Sequence, residues 1–277
     1  MRIHHLDAGT MCPALGRFIG NGRGLGRGTM VCHCLVVETA KDGLIVVDTG
    51  FGVQECERPS LLPRAFRALT HPKLDASACV VRQVEALGFT AADVRHVVVT
   101  HLDVDHAGGL PDFPSATVHL HRRELDAAMA RATTRERSRY LPHQWAHGPR
   151  WSTYSEEGDT WLGVPAVRKL AGVDADVALI PLHGHTRGHS AIAVGTGGGW
   201  LLHAGDAYFH HTELVRAADA PVGLRWFQGL VQIDGKARHA SAATLRRLHA
   251  EHPELTIVSA HDPVELRAAT DASAAAA

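Results

Sequence analysis

Short apolar runs rich in β-branched residues alternate along the chain with stretches of helical periodicity. An apolar or alternating run of about four to eight residues is typical of a β-strand, and a period of about 3.6 residues is typical of a helix. The pattern predicts strands at residues 3–6, 31–38, 44–48, 96–100, 117–120, 178–182, 191–194, 200–203 and 256–260. It predicts helices at residues 76–87, 91–94, 122–131, 236–251 and 264–270. Because paired strands come first and later interleave with helices, we expect an α/β fold with two sheets face to face and helices outside.

A glycine-rich segment at residues 16–28 interrupts this periodicity. It has neither the G-x-G-x-x-G nor the Walker A spacing, so a nucleotide-binding loop is rejected. Two interpretations remain open: a mobile hairpin tip, or a lid whose Arg17, Arg23 or Arg27 contacts substrate.

A second interruption covers residues 133–163, which we predict to be an irregular insert. Its Trp145, Trp151 and Trp161 would wall a substrate pocket, cover the core or form the interface of a homodimer. Residues 271–277 are predicted to be a frayed tail, with a run-on of the preceding helix as the alternative. No repeat or linker divides the chain, so a single domain over residues 1–277 is predicted.

Charge and hydropathy limit the classes of partner. The 277 residues include 28 Lys and Arg against 29 Asp and Glu, a formal net charge of −1, which gives no electrostatic reason to expect nucleic acid or an anionic membrane. The N-terminus has no export signal, and no apolar stretch approaches the roughly 18–20 residues that span a bilayer. We therefore expect a cytoplasmic protein that acts on a small molecule.

The five cysteines are an odd number and include no C-x-x-C pair, so a disulfide framework is not expected. Cys32 and Cys34 are two residues apart in a predicted strand and therefore share one face. Buried packing is favoured for this pair over a metal clip.

Residues 97–110, VVVTHLDVDHAGGL, carry the chemistry most visible in the sequence. An apolar strand is followed within six positions by His101, Asp103, Asp105 and His106. A loop at a strand end can direct several side chains at one point. Carboxylates and imidazoles are costly to bury side by side unless a cation compensates them. The segment therefore predicts a metal site.

This segment resembles the H-x-H-x-D-H signature of the metallo-β-lactamase superfamily. Four more landmarks of that family follow its order along the chain: residues 44–50 (LIVVDTG), 182–190 (LHGHTRGHS), 201–207 (LLHAGDA) and 259–262 (SAHD). Together they extend over residues 44–262. The resemblance implies the αββα sandwich of that family, with two mixed sheets face to face.

Carried over position by position, the resemblance implies two divalent metal ions that share a hydroxide. It assigns His101, Asp103 and His189 to the first ion, Asp105, His106 and His261 to the second, and Asp206 as the bridge. Asp105 and Asp206 would also be catalytic, with Asp105 passing a proton to the leaving group. Asp48 would orient a ligand through hydrogen bonds, and His183 and His185 would have structural roles or lie directly behind the ligands.

Two positions depart from the family pattern. Asp103 stands where the signature has histidine, so it is either a carboxylate ligand or a residue behind the ligands. Zinc is the expected metal, but a third carboxylate also favours harder ions such as iron or manganese. Tyr208 follows Asp206 by two residues, whereas related lactonases place a tyrosine three residues on, where this chain has Phe209; an oxyanion role for Tyr208 is one option.

The run from His101 to Gly109 and the late SAHD histidine resemble the quorum-quenching lactonase branch of the family. The resemblance implies hydrolysis of a lactone or carboxylic ester. The alternatives are thioester hydrolysis, as in the glyoxalase II branch, and phosphodiester or organophosphate hydrolysis. Because one fold hosts many functions, a di-iron redox protein and a non-catalytic metal-binding protein are also kept, as weaker alternatives.

Overall fold

Two six-stranded β-sheets stack at the centre of the fold in the computed structural model, which describes residues 1–19 and 26–275. The first sheet contains, in spatial order, β1 (Arg2–Asp7), β2 (His33–Glu38), β3 (Leu44–Val47), β4 (Val94–Val98), β5 (Thr117–His121) and β6 (Arg150–Tyr154). The first three strands pair antiparallel, and β3 to β6 pair parallel. The sheet is therefore mixed, as the family resemblance implies.

The second sheet contains β7 (Asp159–Trp161), β8 (Val164–Lys169), β9 (Val177–Pro181), β10 (Ser190–Gly195), β11 (Trp200–His203) and β12 (Leu255–Val258). Its spatial order is β12-β11-β10-β9-β8-β7, with β11 and β12 parallel and the other pairs antiparallel. The nine predicted strands are all present, and the expected sandwich of two mixed sheets is confirmed.

Alternating side chains fill apolar layers on both faces of the strands. In β2, Leu35 and Val37 pack between the sheets, whereas Cys34 and Val36 pack against the helices outside. In β10, Ile192 and Val194 likewise point between the sheets. Because successive side chains of a strand point to opposite faces, strands buried on both faces read as continuous apolar runs. This burial holds the strand ends rigid.

The helices are α1 (Gly16–Ile19), α2 (Val53–Glu57), α3 (Arg64–Thr70), α4 (Val80–Ala86), α5 (Val104–Ala107), α6 (Arg122–Ala130), α7 (Thr134–Arg139), α8 (Val222–Val231), α9 (Gly235–Glu251) and α10 (Pro263–Ala275). The predicted helix at 76–87 is divided by Cys79 into the 3₁₀ turn Ala76–Ala78 and α4. The predicted short helix at 91–94 is the 3₁₀ turn Ala91–Asp93. No helix among the described residues is long and apolar enough to cross a membrane.

The expectation of an irregular insert at 133–163 was wrong. The segment contains α7, β6 and β7, and Thr133 and Glu136 form a reciprocal capping box at the start of α7. β6 is a half-buried strand with few aliphatic residues, so its sequence carries a weak strand signal. For the tail, the structure has the run-on of the preceding helix and no frayed end up to Ala275, because α10 continues to that residue; residues 276–277 lie outside the described part of the chain.

Candidate metal centre

The loops that follow β4, β9, β11 and β12 bring the candidate ligands together. His101, Asp103, Asp105 and His106 follow β4, as the sequence predicted, and the last two lie in the short helix α5, which it did not predict. Asp206 follows β11, and His261 follows β12. Buried strands therefore fix the backbone on which each of these side chains stands.

Asp206 occupies the middle of this group. Its Oδ1 lies 3.3 Å from Nε2 of His106 and 3.1 Å from Nε2 of His261. Its Oδ2 lies 3.2 Å from Nε2 of His185 and 3.9 Å from Nε2 of His101. One carboxylate oxygen thus faces each of two histidine pairs, which is the arrangement required of a bridging ligand.

The other two aspartates lie on opposite sides of Asp206. Asp103 Oδ2 is 3.4 Å from Nε2 of His101 and 3.0 Å from Nε2 of His185. Asp105 Oδ2 is 3.6 Å from Nε2 of His261. Each half of the site therefore combines two imidazoles with one carboxylate of its own.

Hydrogen bonds at Nδ1 hold three of the histidines with Nε2 directed into the site. Nδ1 of His101 lies 2.9 Å from Oγ1 of Thr100, Nδ1 of His106 lies 2.8 Å from Oδ2 of Asp48, and Nδ1 of His261 lies 2.8 Å from the carbonyl oxygen of Val31. Such partners fix the tautomer that leaves a lone pair on Nε2.

Asp48 orients His106, as the sequence predicted. Its carboxylate also accepts hydrogen bonds from the backbone N–H and the hydroxyl of Thr100, at 2.7 and 2.8 Å. Burial opposes the charged form of Asp48, but the adjacent His106 imidazole outweighs it and lowers the pKa of this carboxyl. Asp48 therefore stays ionised behind the ligand.

The buried polar atoms of the group fit divalent cations. His101 Nε2, His106 Nε2, Asp103 Oδ1 and Asp206 Oδ1 are buried and have no hydrogen-bond partner among the described residues. Burial opposes the charge of Asp206, yet His261 and His106 hold its pKa well below its usual range. Buried carboxylate oxygens and imidazole Nε2 atoms that converge on one point are a typical donor set for metal ions.

His185, and not His189, faces this group. Burial lowers the pKa of His185 to about 4, so its imidazole is neutral and able to bind a cation. Both nitrogens of His189 are engaged: Nδ1 donates to the carbonyl oxygen of Leu182 at 2.8 Å, and Nε2 accepts from the backbone N–H of Asp206 at 2.9 Å. The two histidines share one loop, whose path places His185 against the Asp206 carboxylate and His189 against the Asp206 backbone. The assignment of His189 as a metal ligand stays a prediction.

The profile of the metallo-beta-lactamase superfamily matches residues 27–261. The chain belongs to this superfamily. A probable metallo-hydrolase of Mycobacterium tuberculosis is 39% identical over 264 residues, which cover 95% of this chain and 81% of that protein. An N-acyl homoserine lactonase of Rhizobium johnstonii is 33% identical over 129 residues, which cover 46% of this chain and 48% of that enzyme. These relatives make the chain a metal-dependent hydrolase.

A solved member of the fold is similar over almost the whole chain. It is an N-acyl homoserine lactone hydrolase with the product N-hexanoyl-L-homoserine bound at its catalytic metal centre. The TM-score is 0.69 and the sequence identity 20%, over 96% of this chain and 95% of that chain. At this identity the similarity shows the shared metallo-β-lactamase fold.

A cavity of about 270 Å³ lies above the candidate ligands of the chain. Its floor includes Asp103, Asp105, His185, Asp206 and His261. Its walls are mainly apolar and come from residues on either side of the glycine-rich segment, from α3 and α8, and from the loop after β11: Met11, Met30, Phe66, Leu69, Phe209, Phe227, Leu230 and Val231. The cavity therefore offers an apolar surface directly beside the candidate ligands.

Arg139 is a cavity residue that the sequence did not single out. Its guanidinium lies 3.3 Å from Oδ2 of Asp103 and donates to the carbonyl oxygens of His185, at 3.1 Å, and Val231. Burial opposes the charge of Asp103, but the Arg139 guanidinium and then His101 hold the pKa of this carboxyl well below its usual range. Arg139 is one of several arginines in α7, with no motif to distinguish it.

Tyr208 does not reach the cavity. Its hydroxyl is buried and donates to Oε1 of Glu265 in α10 at 2.8 Å. The expected oxyanion role is therefore contradicted, because the side chain points into the core of the second sheet while Phe209 lines the cavity.

The tryptophans of the 133–163 segment also lie away from the cavity. Trp145 and Trp151 pack on the outer core of the first sheet, and Trp161 packs on that of the second. Of the possible lid arginines, Arg27 donates to the carbonyl oxygen of Cys12, whereas Arg23 and the side chain of Arg17 lie outside the described residues.

Proposed function

We propose that this metal-dependent hydrolase is dinuclear and cleaves a lactone or another carboxylic ester. The observation that carries the proposal is the position of Asp206, one oxygen of which faces each half of the ligand group. The apolar cavity directly above supports a substrate with a neutral acyl chain. Lactonases among the relatives of the chain support the same bond class.

In this proposal His101, Asp103 and His185 hold the first ion, and Asp105, His106 and His261 hold the second. Asp206 serves both. His185 thus takes the place that the sequence gave to His189. Zinc is the expected metal, and iron or manganese are the alternatives favoured by the additional carboxylate of Asp103. When bound, two adjacent divalent ions supply a nucleophile at neutral pH and polarise the reacting carbonyl.

The side chains around the ions have separate tasks. Asp105 lines the cavity floor, and we assign to its carboxylate the transfer of a proton to the leaving oxygen. The apolar walls, including Phe66 and Phe227, hold the acyl chain and exclude water from it. Arg139 keeps Asp103 oriented through an ion pair and also donates to two backbone carbonyl oxygens.

Phosphodiester hydrolysis is the second candidate, since Arg135 and Arg139 both line the cavity. Guanidinium groups bind phosphate well. However, Arg135 donates to the carbonyl oxygen of Gln232 at 2.7 Å, and Arg139 is held by Asp103. Each guanidinium thus already has an oxygen partner within the protein, which supports the neutral ester as the first candidate. A thioester shares the acyl chemistry and stays an alternative.

The test is proton release, at constant pH, from an N-acyl homoserine lactone, an acyl thioester and a phosphodiester. The metal-replete protein is compared with its Asp206→Ala variant as the blank. We expect the highest kcat/KM for the lactone, and dependence on Asp206 in every active case. Cleavage of the thioester or phosphodiester without lactone turnover would contradict the ester assignment and leave the hydrolase centre in place.

Homodimer formation, a cytoplasmic location and the absence of a nucleic-acid partner remain predictions from the sequence alone.

A further inference from the structure

Two cysteines that the sequence analysis did not pair lie side by side. The Sγ atoms of Cys56, in α2, and Cys79, directly before α4, are 3.5 Å apart. Cys56 is half-buried and Cys79 is buried. A disulfide has an S–S distance of about 2.05 Å, so the two sulfurs need to approach by roughly 1.5 Å.

The chain between these cysteines forms one wall of the cavity. It contains α3, and the cavity residues Pro63, Ala65, Phe66, Leu69 and Thr70 all belong to it. A bond between residues 56 and 79 closes a loop of 79 − 56 + 1 = 24 residues whose two ends are the cysteines. Such a bond restricts the freedom of the whole wall segment relative to the sheet.

The chemistry of the pair also suits oxidation. The hydrogen bond from the Cys79 thiol lowers the pKa of Cys56, while this bond and burial raise the pKa of Cys79. The thiolate is the reactive form of cysteine, and Cys56 is the more accessible member of the pair. Cys56 would thus react first and Cys79 would resolve the product.

We propose that Cys56 and Cys79 form a reversible disulfide that fastens the α3 wall of the cavity. With a peroxide as oxidant, the Cys56 thiolate takes one oxygen and becomes a sulfenic acid while the O–O bond breaks. The Cys79 sulfur then attacks that sulfenic sulfur, the S–S bond forms, and water leaves. Two thiols are oxidised by two electrons, and one peroxide is reduced to water and an alcohol, or to two waters. A dithiol reductant reverses the reaction.

The test uses the full-length, metal-replete protein, with thiols counted before and after a limiting amount of hydrogen peroxide. The wild type is expected to fall from five reactive thiols, counted in denaturant, to three, and peptide mapping without reductant should link the Cys56 and Cys79 peptides. Cys56→Ser should keep its four thiols, Cys79→Ser should lose at most the Cys56 thiol, as an unlinked sulfenic acid, and Cys12→Ser should fall from four to two. Cys56 is the more accessible of the two cysteines, so the Cys56→Ser variant still tests the proposal if substitution of the buried Cys79 prevents folding.

A second readout follows the wall segment itself. Trypsin cleavage after the exposed Arg64, which is followed by Ala65, should be several-fold slower in the oxidised wild type than in oxidised Cys56→Ser. The proposal is overturned if Cys56 and Cys79 both stay reduced while Cys12 oxidises, or if a different pair is linked. Equal cleavage rates in the two proteins would overturn the role of the bond in the α3 wall. Neither readout requires turnover, so both are independent of the proposed substrate.

Discussion

The backbone N–H of Asp206 donates to Nε2 of His189 at 2.9 Å. His189 therefore holds the backbone that carries the central carboxylate. Gly205, directly before Asp206, has φ of +53°, and a Cβ atom there would lie 2.7 Å from the same Nε2. The absence of a side chain at Gly205 thus lets the backbone before Asp206 approach the His189 ring closely, while Nε2 of His185 lies next to the Asp206 carboxylate at 3.2 Å.

Histidine substitutions should separate the two roles. In metal-free protein we expect His189→Ala to lower the free energy of unfolding by about 2 kcal/mol or more, because two buried backbone groups lose their partner. This variant should keep most of the stabilisation that added zinc gives. His185→Ala should lose most of that stabilisation, since a ligand is removed. Urea unfolding without and with zinc measures the stability of each metal-free variant and the stabilisation that zinc adds. Loss of the zinc stabilisation in His189→Ala but not in His185→Ala would identify His189 as the ligand.

Arg139 and Asp103 should be energetically coupled. Arg139→Met leaves a buried carboxylate uncompensated, which costs about 3 kcal/mol in the metal-free protein. In the double variant with Asp103→Asn that charge is absent, so the combined cost should be clearly below the sum of the two single costs. Urea unfolding of all four proteins in chelator closes the cycle. Additivity within about 0.5 kcal/mol would show that the pair does not interact.

Two neighbouring aromatic residues of α8 provide a matched test of the cavity wall. Phe227 lines the cavity, whereas Trp226 is 63% exposed and does not. For a lactone with a ten-carbon acyl chain, Phe227→Ala should lower kcat/KM about tenfold, equivalent to about 1.4 kcal/mol of lost apolar contact. A lactone with a four-carbon chain should be affected little, and Trp226→Ala should change neither value. Equal effects in both variants, or no dependence on chain length, would argue against this wall.

Much of the fold could be predicted because its strands are buried on both faces. The apolar run of β2, from Leu35 to Val37, has no polar interruption, and the same holds for β3. The edge strand β6 escaped detection because its arginine, serine and threonine are tolerated at a half-buried edge. Local sequence therefore revealed the central strands, while the outer strands depend on tertiary packing.

The same distinction applies to the site. His101 to His106 are adjacent in sequence, so their spacing alone predicts a shared focus. His185 and His189 stand four residues apart in one loop, and only the loop path decides which of them faces Asp206. The pairing of Arg139 with Asp103 joins α7 to the loop after β4, a contact that no local pattern encodes.

Acid should destabilise the protein through His119. Nδ1 of His119 accepts a hydrogen bond from the hydroxyl of Tyr154, and Nε2 of His119 donates to Nδ1 of His96 at 3.0 Å. The Tyr154 hydroxyl in turn accepts from the backbone N–H of Ala171. Burial, with a smaller contribution from His96, lowers the pKa of His119 to about 4, against about 6.5 in an unfolded chain. As pH falls from about 6.5 to 4 the unfolded chain takes up the proton first, so stability is full above this window and decreases within it.

The contribution of His119 is at most about 1.4 kcal/mol per pH unit in that window. In metal-free protein, His119→Gln should therefore unfold with a shallower dependence of stability on pH between about 4 and 6.5. His249→Gln, at an exposed position of α9, serves as the control and should keep the wild-type slope. An unchanged slope in His119→Gln would show that this ring is not a source of acid sensitivity.

The most direct test of the proposed centre is the number of metal ions bound per chain. Wild-type protein and the Asp206→Ala variant are equilibrated with excess zinc, freed of unbound ions and analysed by elemental mass spectrometry. We expect two ions per chain in the wild type and about one or fewer in the variant, because Asp206 faces both halves of the site. A wild type that binds one ion or none, or a variant that keeps two, would contradict a dinuclear centre bridged by Asp206.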